Sequence, residues 1–556
     1  MKDKYILGIN GWYSKSHDAS ACIIKNGKIL AMAEEERFIR KKHAYDSLPI
    51  FSTLWCLNEV GIELDEIDKV AIGWDYLQFY NITEKKRIIR DISSILFPRK
   101  YFRYSKNPKI EFVPHHVAHA ASSYFLSGFK EASILIVDGQ GEHESVTFAI
   151  GRGNEIQILD SFPIDDSLGY FYEAISEFIG FGHHDAGKTM GLAPYGEPKF
   201  EFNQFLLSEK GYNLKLKIGK VKDSKHETVS TAWKQELNKM FGIQKNTTSL
   251  FRPFYGDVYR NVKLHQLQKD IAASAQNTLE NVLLHLAKVL VSKTAIKNLC
   301  LSGGVALNCS SNTLIARSGF INELFIPPFV NDGGVSLGAA LFVGGISSNV
   351  QFESPYLGPS FKDDSIEKML KKINLNYRYY DDIEEKTAGL LSQGKIVSWF
   401  QGRMEVGPRA LGNRSILAHP GITGINDKVN LAKGRELWRP LSPSILDTED
   451  KYYLENSFPS PFMLHVFTVL PDIQKRIPAV SHVDGSTRPQ MVSNSTNPRY
   501  YSLIREFKKK TGFSLLLNTS FNGSKEPIVC TPLDAIVSFF TNSTDYLVLG
   551  NFLIGK

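Results

Sequence analysis

A chain of 556 residues is too long for one compact core, so two or more domains are expected. Its composition, 43% hydrophobic and 22% charged, is that of an ordered globular protein and excludes general disorder. The net charge of +7 (65 basic and 58 acidic residues) permits anionic small molecules as ligands without indicating nucleic acid.

The cysteines form neither a CxxC pair nor a disulfide framework; they are Cys22, Cys56, Cys300, Cys309 and Cys530. Free thiols in apolar runs are typical of a reducing compartment. The N-terminal apolar run is too short for a signal peptide, and no stretch approaches the ~18 apolar residues of a membrane helix. We therefore expect a cytoplasmic protein that acts away from membranes.

The first third of the chain repeats one pattern. A buried strand at Tyr5–Asn10 is followed by a polar turn and then by a hairpin whose turn is Asn26-Gly27. A second buried strand, at residues 133–138, is again followed by a polar turn, DGQGEHES, and a hairpin. This repetition favours a structural duplication over a chance pairing of strands. Duplicated units of this kind build the actin-like (ASKHA) architecture, whose two halves close on a nucleotide.

The later part of the chain predicts further α/β structure. Residues 266–293 have helical periodicity, and KNLCLSGGVALN is typical of a strand, a glycine turn and a helix start. Residues 200–260 lack a clear hydrophobic periodicity and are interpreted as an insertion. A segment rich in proline and polar residues, 346–361, is the expected linker. The predicted domains are therefore residues 1–350 and 360–556, the second again α/β.

Two histidines in HHVAHA, His115 and His119, are four residues apart, which places both rings on one face of a helix. Asp138 and Asp332 each end a strand-like run and precede glycine, so they are the candidate carboxylate partners. Two imidazoles and two carboxylates would suit Fe(II), Zn or Mn. The alternative is that the histidines pack against the core and Asp138 only lines a turn.

Three other polar motifs are candidate sites in the first domain. His17-Asp18 lies in the turn after the first strand and offers a base with an orienting carboxylate, or simply a turn cap. Lys188, in HHDAGKTMGLAPYG, is suited to phosphate oxygens, although the spacing is not that of a P-loop. Gly303-Gly304 precede a helix, where backbone N–H groups can hold an anion.

The second domain carries a dense set of cations beside Gly, Pro and Trp, in predicted turns. Arginine forks bind phosphate in a bidentate manner, so several that converge predict a polyphosphate site. Nucleic acid would instead favour a long basic stripe interleaved with aromatics, and is not expected. The candidates, with two polar residues of LLNTSFN, are Arg409, Arg414, Lys433, Arg435, Arg439, Arg488, Asn518 and Ser520.

The motifs together resemble those of the NodU/CmcH carbamoyltransferases. HDASACII, EEERFIRKKH, HHVAHAASSYF, DGQGEHES, GKTMGLAPYG, CLSGGVALN, NDGGVSLGAAL, GPRALGNRSI, KGRELWRPLSPS and NTSFN occur in the family's order over nearly the whole chain. The resemblance implies a TsaD-like ASKHA domain followed by a YrdC-like domain. It also implies ATP-dependent O-carbamoyl transfer: the YrdC-like domain makes carbamoyl adenylate from carbamoyl phosphate and ATP, with Mg²⁺, and the first domain transfers the carbamoyl group to a hydroxyl.

Family acceptors include antibiotics and lipochitooligosaccharide signals, so a small hydroxylated molecule, a natural product or a sugar, is the expected partner. The resemblance makes His17 the candidate base and Asp18 its orienting carboxylate. It assigns the metal, Fe(II) in preference to Zn or Mn, to His115, His119, Asp138 and Asp332. It assigns the nucleotide in the first domain to Lys188, Gly191, Gly303, Gly304 and Asn308. It assigns carbamoyl phosphate and ATP to the eight residues of the second domain given above.

Other functions are open alternatives. An ASKHA kinase for a sugar would release ADP, but it leaves the arginine-rich second domain and the paired histidines unexplained. A non-catalytic nucleotide-binding partner would be expected to lack the candidate ligand set, which is present. Transfer to tRNA, as in the related system, is disfavoured by the modest charge. The acceptor pocket is expected in residues 75–110 and 200–260, and a homodimer is compatible with the sequence.

Overall fold

The protein is described here by a computed structural model over residues 3–11, 16–79, 92–219, 225–242, 264–345, 352 and 354–556. The chain divides into two compact units. Of the described residues, the first contains 3–11, 16–35, 43–79, 92–219, 225–242, 264–345 and 352, and the second contains 36–42 and 354–556. Much of the predicted linker, and parts of the predicted insertion and of the 75–110 segment, lie outside the described residues.

The strands and helices are named in chain order. The strands are β1 Tyr5–Asn10, β2 Ser20–Lys25, β3 Lys28–Glu34, β4 Lys69–Ile72, β5 Ile110–Phe112, β6 Glu131–Val137, β7 Glu144–Arg152, β8 Glu155–Pro163, β9 Phe205–Ser208, β10 Gly211–Leu214, β11 Asn298–Ser302, β12 Glu323–Phe325, β13 Arg378–Tyr379, β14 Val397–Phe400, β15 Arg414–Ala418, β16 Ser442–Leu446, β17 Phe467–Thr468, β18 Ser486–Thr487, β19 Gln490–Val492, β20 Leu515–Ser520, β21 Tyr546–Leu549 and β22 Phe552–Gly555. The helices are α1 Glu35–Ile39, α2 Ile50–Val60, α3 Tyr76–Phe79, α4 His115–Tyr124, α5 Leu168–Phe178, α6 Ala186–Leu192, α7 Lys225–Met240, α8 Gln266–Thr294, α9 Cys309–Ala316, α10 Val335–Gly344, α11 Asp363–Lys372, α12 Ile383–Ser392, α13 Ile425–Ala432, α14 Pro471–Gln474, α15 Pro498–Thr511 and α16 Pro532–Thr541.

Two sheets of one topology form the first unit. Within the described residues, the first sheet has the order β3-β2-β1-β4-β5 and the second has the order β8-β7-β6-β11-β12. In each sheet the leading strand pairs antiparallel with a hairpin and parallel with a later strand. Asn26 (φ 48°) and Gly27 (φ 84°) both adopt the left-handed backbone that the tight hairpin between β2 and β3 requires. The predicted duplication and α/β class are confirmed.

Helix α10 packs closely against helix α4 and the first sheet because small residues line its inner face. A Cβ at Gly338 would lie 1.8 Å from the carbonyl oxygen of Ala118 on α4. At Gly8 on β1, a Cβ would lie 1.9 Å from the carbonyl oxygen of Ser336. Since Asp332 immediately precedes α10, this close packing holds its carboxylate beside the N-terminal turn of α4.

Replacing Gly338 by Ala is expected to lower the free energy of unfolding of the first unit by ~1–3 kcal/mol, because the backbone carbonyl of Ala118 cannot move aside cheaply. Gly187→Ala is the matched control, since no atom lies within 4 Å of its added Cβ, and alanine is the better helix former. Urea denaturation followed by circular dichroism would measure both variants. An unchanged urea midpoint for Gly338→Ala would contradict this packing.

The second unit is built on a mixed sheet with order β13-β22-β21-β14-β15-β20-β16-β19 in the described part of the chain. Alternate residues of its central strands enter two different apolar clusters: Leu515 and Leu517 of β20 enter one, and Leu516 enters the other. The first cluster includes residues of α11 and α16, and the second includes residues of α12 and α15. Helices therefore cover both faces, as the near-continuous apolar strands require.

The five cysteines are buried free thiols, as expected. Helix α8, with 29 residues, carries charged side chains along its length. In the ranges that the structure describes, no helix combines the length and the apolar character needed to cross a membrane.

Candidate active sites

The four predicted metal ligands converge in the first unit. His115 and His119 lie on α4 and are fully buried, Asp138 follows β6, and Asp332 begins the turn before α10. His119 Nε2 lies 3.1 Å from Asp138 Oδ2 and 3.7 Å from Asp332 Oδ1, and His115 Nε2 lies 3.4 and 3.5 Å from the same two oxygens. One donor atom from each residue lies within 4.8 Å of all the others.

Hydrogen bonds behind the site orient these donor atoms. His115 Nδ1 donates to the carbonyl of Gly73 (3.1 Å), which leaves Nε2 unprotonated and directed at the carboxylates in the neutral ring. His119 Nδ1 pairs with Ser302 Oγ at 3.2 Å. Asp138 Oδ1 accepts from the N–H groups of Gly139 (2.7 Å) and Gly304 (3.1 Å), so Oδ2 faces the imidazoles. Gly304, a predicted nucleotide residue, therefore positions Asp138.

Two further residues support α4 and were not predicted from the sequence. The backbone N–H of His115 donates to both carboxylate oxygens of Glu142, at 2.9 and 3.0 Å, which places a negative charge at the helix N-terminus. The ring of Trp74 lies 4.0 Å from the ring of His115, centroid to centroid. Trp74 directly follows Gly73, whose carbonyl binds the same imidazole, so strand β4 and its end position this ligand.

The electrostatics of the four-residue set fit a divalent cation. Burial alone would raise the pKa of Asp332, but His115 and His17 hold it well below its ordinary value. The pKa of Asp138 is likewise lowered, against burial, by hydrogen bonds to His115 and His119. Two ionised carboxylates and two imidazoles directed at one point would suit a divalent transition metal, and the metal role of these residues stays a prediction.

The predicted base and its carboxylate lie next to this set and are joined by a third residue. His17 Nδ1 lies 3.2 Å from Asp18 Oδ2, and His43 Nδ1 lies 3.0 Å from Asp18 Oδ1. His17 Nε2 lies 3.9 Å from Asp332 Oδ2. Asp18 thus holds two imidazoles, one of which faces the candidate metal ligands. His43 ends the motif EEERFIRKKH, and its role was not predicted.

The other nucleotide candidates of the first unit occupy the surrounding turns. Lys188 Nζ forms an ion pair with Asp185 (2.9 Å), and Gly191 is buried in α6. Gly303 has φ +92°, and a Cβ there would lie 2.3 Å from the carbonyl oxygen of Val137, so only glycine fits. The Asn308 side chain caps α9 by accepting from the N–H of Ser311. The nucleotide role of these residues stays a prediction.

The second unit holds a cluster of cations around the buried Lys433. Arg435 and Arg439 lie close enough to lower the pKa of Lys433, as does Lys42 of the short segment Glu36–Lys42, and Arg439 and Arg488 lower the pKa of Arg435. Lys433 Nζ donates to Asn522 Oδ1 (2.9 Å) and Ser520 Oγ (3.2 Å). Arg488 donates to Ser442 Oγ (3.1 Å). Lys42, Ser442 and Asn522 were not predicted, although each flanks a quoted motif or lies within one.

After burial, the largest effects on the pKa values of Lys433 and Arg435 come from neighbouring cations. Burial, and then the charges of Arg435 and Arg439, lower the pKa of Lys433 well below its ordinary value, while Glu526 acts in the opposite direction. Burial and Arg439 lower the pKa of Arg435 in the same way, against Glu436. Like charges that are held together away from water are costly unless an anion binds among them. The cluster therefore has the properties of a polyanion site.

Two of the predicted phosphate-binding residues have different surroundings. The guanidinium of Arg414 is fully buried and donates to the backbone carbonyls of Gln401 (2.5 Å), Asn413 (2.8 Å) and Pro359 (3.0 Å). Asn518 is 1% exposed, and its amide N–H groups donate to Ser444 and Ala410. Most of these donors are used inside the fold, although Arg414 Nε and Asn518 Oδ1 are buried without a hydrogen bond within the described residues. The phosphate-binding role of both residues stays a prediction. Arg409 is half-buried before β15, and its ligand role stays a prediction.

Replacing Arg414 by Lys is expected to lower the free energy of unfolding of the second unit by about 3 kcal/mol, because an ammonium cannot reproduce the planar fork that satisfies these buried carbonyls. Arg505→Lys is the matched control, since that side chain is 57% exposed. Thermal and urea denaturation would compare the variants. A loss of nucleotide binding by Arg414→Lys with full stability would instead support a phosphate-binding role for Arg414.

Comparison with known proteins gives the following matches. Residues 5–341 match the family described as Carbamoyltransferase N-terminus, and residues 388–556 match Carbamoyltransferase C-terminus. Nodulation protein NolNO of Sinorhizobium fredii is 34% identical over 99% of this chain and 82% of its own length. Nodulation protein NolO of Bradyrhizobium diazoefficiens is 36% identical over 80% of this chain and 78% of its own. The solved structure of HypF from T. kodakarensis is 13% identical and covers 62% of this chain and 47% of its own, with a TM-score of 0.36.

Proposed function

This chain belongs to the carbamoyltransferase family, and we propose that it uses ATP and carbamoyl phosphate to carbamoylate a hydroxyl group of a small molecule. The second unit makes carbamoyl adenylate, and the first unit transfers the carbamoyl group to the acceptor. The observation that carries the proposal is that each unit holds its own constellation: a cation cluster around the buried Lys433 in the second, and a buried imidazole–carboxylate set in the first.

The first step needs a site that binds several phosphates at once. Carbamoyl phosphate is hydrolysed to carbamate and phosphate, and a carbamate oxygen then attacks the α-phosphorus of ATP while pyrophosphate leaves. Lys433, Arg435, Arg439 and Arg488 would hold the phosphate groups and the negative charge that develops on the leaving group. Mg²⁺ on the ATP is a normal requirement of such chemistry. Adenylation gives carbamate a good leaving group, AMP.

The second step needs a base for the acceptor hydroxyl. His17 would accept this proton while the hydroxyl oxygen attacks the carbamoyl carbon and AMP departs, with Asp18 and His43 fixing the imidazole. A divalent ion held by His115, His119, Asp138 and Asp332 would supply Lewis-acid stabilisation of negative charge. Burial lowers the pKa of His17, but the carboxylates of Asp332 and Asp18 raise it to about 10. A cation that shared the charge of Asp332 would lower the pKa of His17 and favour its neutral form, which can accept the proton.

The alternative is a kinase that phosphorylates the acceptor, which the duplicated first unit would also permit. Incubation with ATP, ¹³C-labelled carbamoyl phosphate and a panel of sugars and other hydroxylated molecules separates the two. The proposal predicts a ¹³C resonance of an O-carbamate, with AMP as the nucleotide product. A ³¹P resonance of a phosphorylated acceptor, formed together with ADP, would establish the kinase instead.

Replacing His43 by Asn is expected to lower the transfer rate ~10-fold, the usual scale for losing a group that orients a reacting side chain. Pyrophosphate release in the first step should stay unchanged, because His43 belongs to the first unit. The transfer rate is measured by the movement of ¹⁴C from carbamoyl phosphate to the acceptor. Pyrophosphate release is measured by a coupled assay. His143→Asn, at an exposed position, is the control. Equal losses in both assays would contradict a positioning role.

A further inference from the structure

A second group of ligating side chains lies in the first unit, on elements other than those that carry the four-residue set. It consists of Glu173 on α5, His183 in the loop after α5, and His226 in the first turn of α7, and we name it the Glu173 cluster. Glu173 Oε1 lies 2.8 Å from His183 Nδ1, and Glu173 Oε2 lies 3.3 Å from His226 Nε2. The three donor atoms all lie within 4.8 Å of one another.

The ligating atoms of the Glu173 cluster are oriented by their surroundings, but not all of them form a hydrogen bond. His226 Nε2 is buried and forms no hydrogen bond within the described residues, although it faces the carboxylate. The N–H of His184 donates to Glu173 Oε1 (2.9 Å), which fixes that carboxylate from outside the cluster. Glu177, which is ion-paired with Lys234 of α7, lies 3.3 Å from His183 Nδ1. A carboxylate oriented by a backbone N–H, with a buried imidazole nitrogen facing it at 3.3 Å, has the features of a ligand site.

We propose that the Glu173 cluster is a second divalent transition-metal site, distinct from the four-residue set. Bonds of ~2.0–2.1 Å to a tetrahedral ion place ligand atoms roughly 3.3 Å apart. The two observed separations, 2.8 Å to Glu173 Oε1 and 3.3 Å to Glu173 Oε2, are near this value, so small movements of His183 and of the carboxylate would bring both imidazoles and one oxygen to an ion. Two imidazoles with one carboxylate favour Zn(II) or Co(II) over Mg²⁺ and Ca²⁺, and leave a coordination position for water or a ligand oxygen.

The location of the Glu173 cluster connects it to the candidate base. The ring of His184 lies 4.0 Å from the ring of His183 and 5.0 Å from the ring of His17, centroid to centroid. An ion in the cluster would also link α5 to α7 through side chains of both helices. The competing interpretation is a metal-free network, in which Glu173 and Glu177 overcome burial and raise the pKa of His183 to about 9. That network predicts no metal uptake.

Metal content decides between the two interpretations without any measurement of activity. The full-length His119→Asn variant, in which the four-residue set has lost a ligand, would be loaded with Co(II), desalted and analysed by inductively coupled plasma mass spectrometry. We expect one cobalt per chain in this variant. We expect none after adding either Glu173→Gln or His226→Asn, and one again after adding His143→Asn as the control. Circular dichroism would verify that each variant is folded.

The visible absorption of the bound Co(II) gives a second readout. Intensity between about 500 and 650 nm, typical of a tetrahedral ion with nitrogen ligands, should disappear with Glu173→Gln or His226→Asn. Either of two results would overturn the proposal. One is a folded His119→Asn variant that retains no cobalt. The other is an unchanged cobalt content after both replacements in the Glu173 cluster, which would place the ion elsewhere.

Discussion

Replacing Lys433 by Met is expected to slow carbamoyl-phosphate-dependent pyrophosphate release by about 10³-fold, the scale for removing one preorganised donor from developing negative charge. The ammonium is buried beside Ser520 and Asn522 and is part of a cluster of cations with few acidic partners. Met retains the length and apolar stem of the side chain, so the packing should be kept. A coupled phosphate and pyrophosphate assay on the full-length chain measures the effect.

The control for this variant is Lys475→Met, which removes the same charge from an exposed position of the same unit. Its rate should match that of the wild type, because an exposed charge contributes little to a buried site. Equal rates for Lys433→Met and the wild type would show that adenylation, if it occurs in this chain, does not use the cation cluster.

The second large effect is expected for Asp332→Asn in the first unit. This change removes one of the two carboxylates that face His115 and His119, together with the negative charge beside His17. A loss of about 4 kcal/mol of transition-state stabilisation would slow carbamoyl transfer by about 10³-fold. Pyrophosphate release should be retained, because Asp332 and the cation cluster belong to different units.

Two measurements on one preparation test the Asp332 prediction. Transfer of ¹⁴C from carbamoyl phosphate to the acceptor should fall, and pyrophosphate release should not. Glu209→Gln, at an exposed position of the first unit, is the charge-matched control. Loss of both activities in a folded Asp332→Asn protein would contradict the assignment of adenylation to the second unit and of carbamoyl transfer to the first.

Local signals in the sequence predicted much of the first unit. The Asn26-Gly27 turn identified the first hairpin because few residues other than Asn and Gly tolerate left-handed backbone at both positions. The spacing of His115 and His119 predicted one helical face, which the structure confirms. The convergence of Asp138 and Asp332 on that face is a tertiary property, since the two residues are far apart in the chain. The strand-end pattern offered both residues as candidates, and the family resemblance then assigned them to one site with the two histidines.

The local amino-acid pattern did not predict three other features: the surroundings of Arg414, the contact of His43 and the position of the segment Glu36–Lys42. Arg414 lies in a glycine-rich motif, as phosphate-binding arginines often do. The motif alone does not show that its guanidinium donates hydrogen bonds to buried carbonyls. His43 contacts Asp18 because the fold brings the two residues together, and the residues that flank His43 in the sequence do not predict this contact. The segment Glu36–Lys42 joins the second unit although it lies between two parts of the first. The position of Lys42 in the sequence therefore did not indicate that it belongs to the cation cluster.

The most direct test of the two-step account is the set of products formed without any acceptor. The purified chain would be incubated with ATP, Mg²⁺ and carbamoyl phosphate, quenched, and analysed by anion-exchange chromatography. The account predicts phosphate and pyrophosphate in equal amounts, with the AMP moiety recovered as adenylate or AMP, and only when carbamoyl phosphate is present. ADP without pyrophosphate, or pyrophosphate release that is unaffected by omitting carbamoyl phosphate, would contradict it.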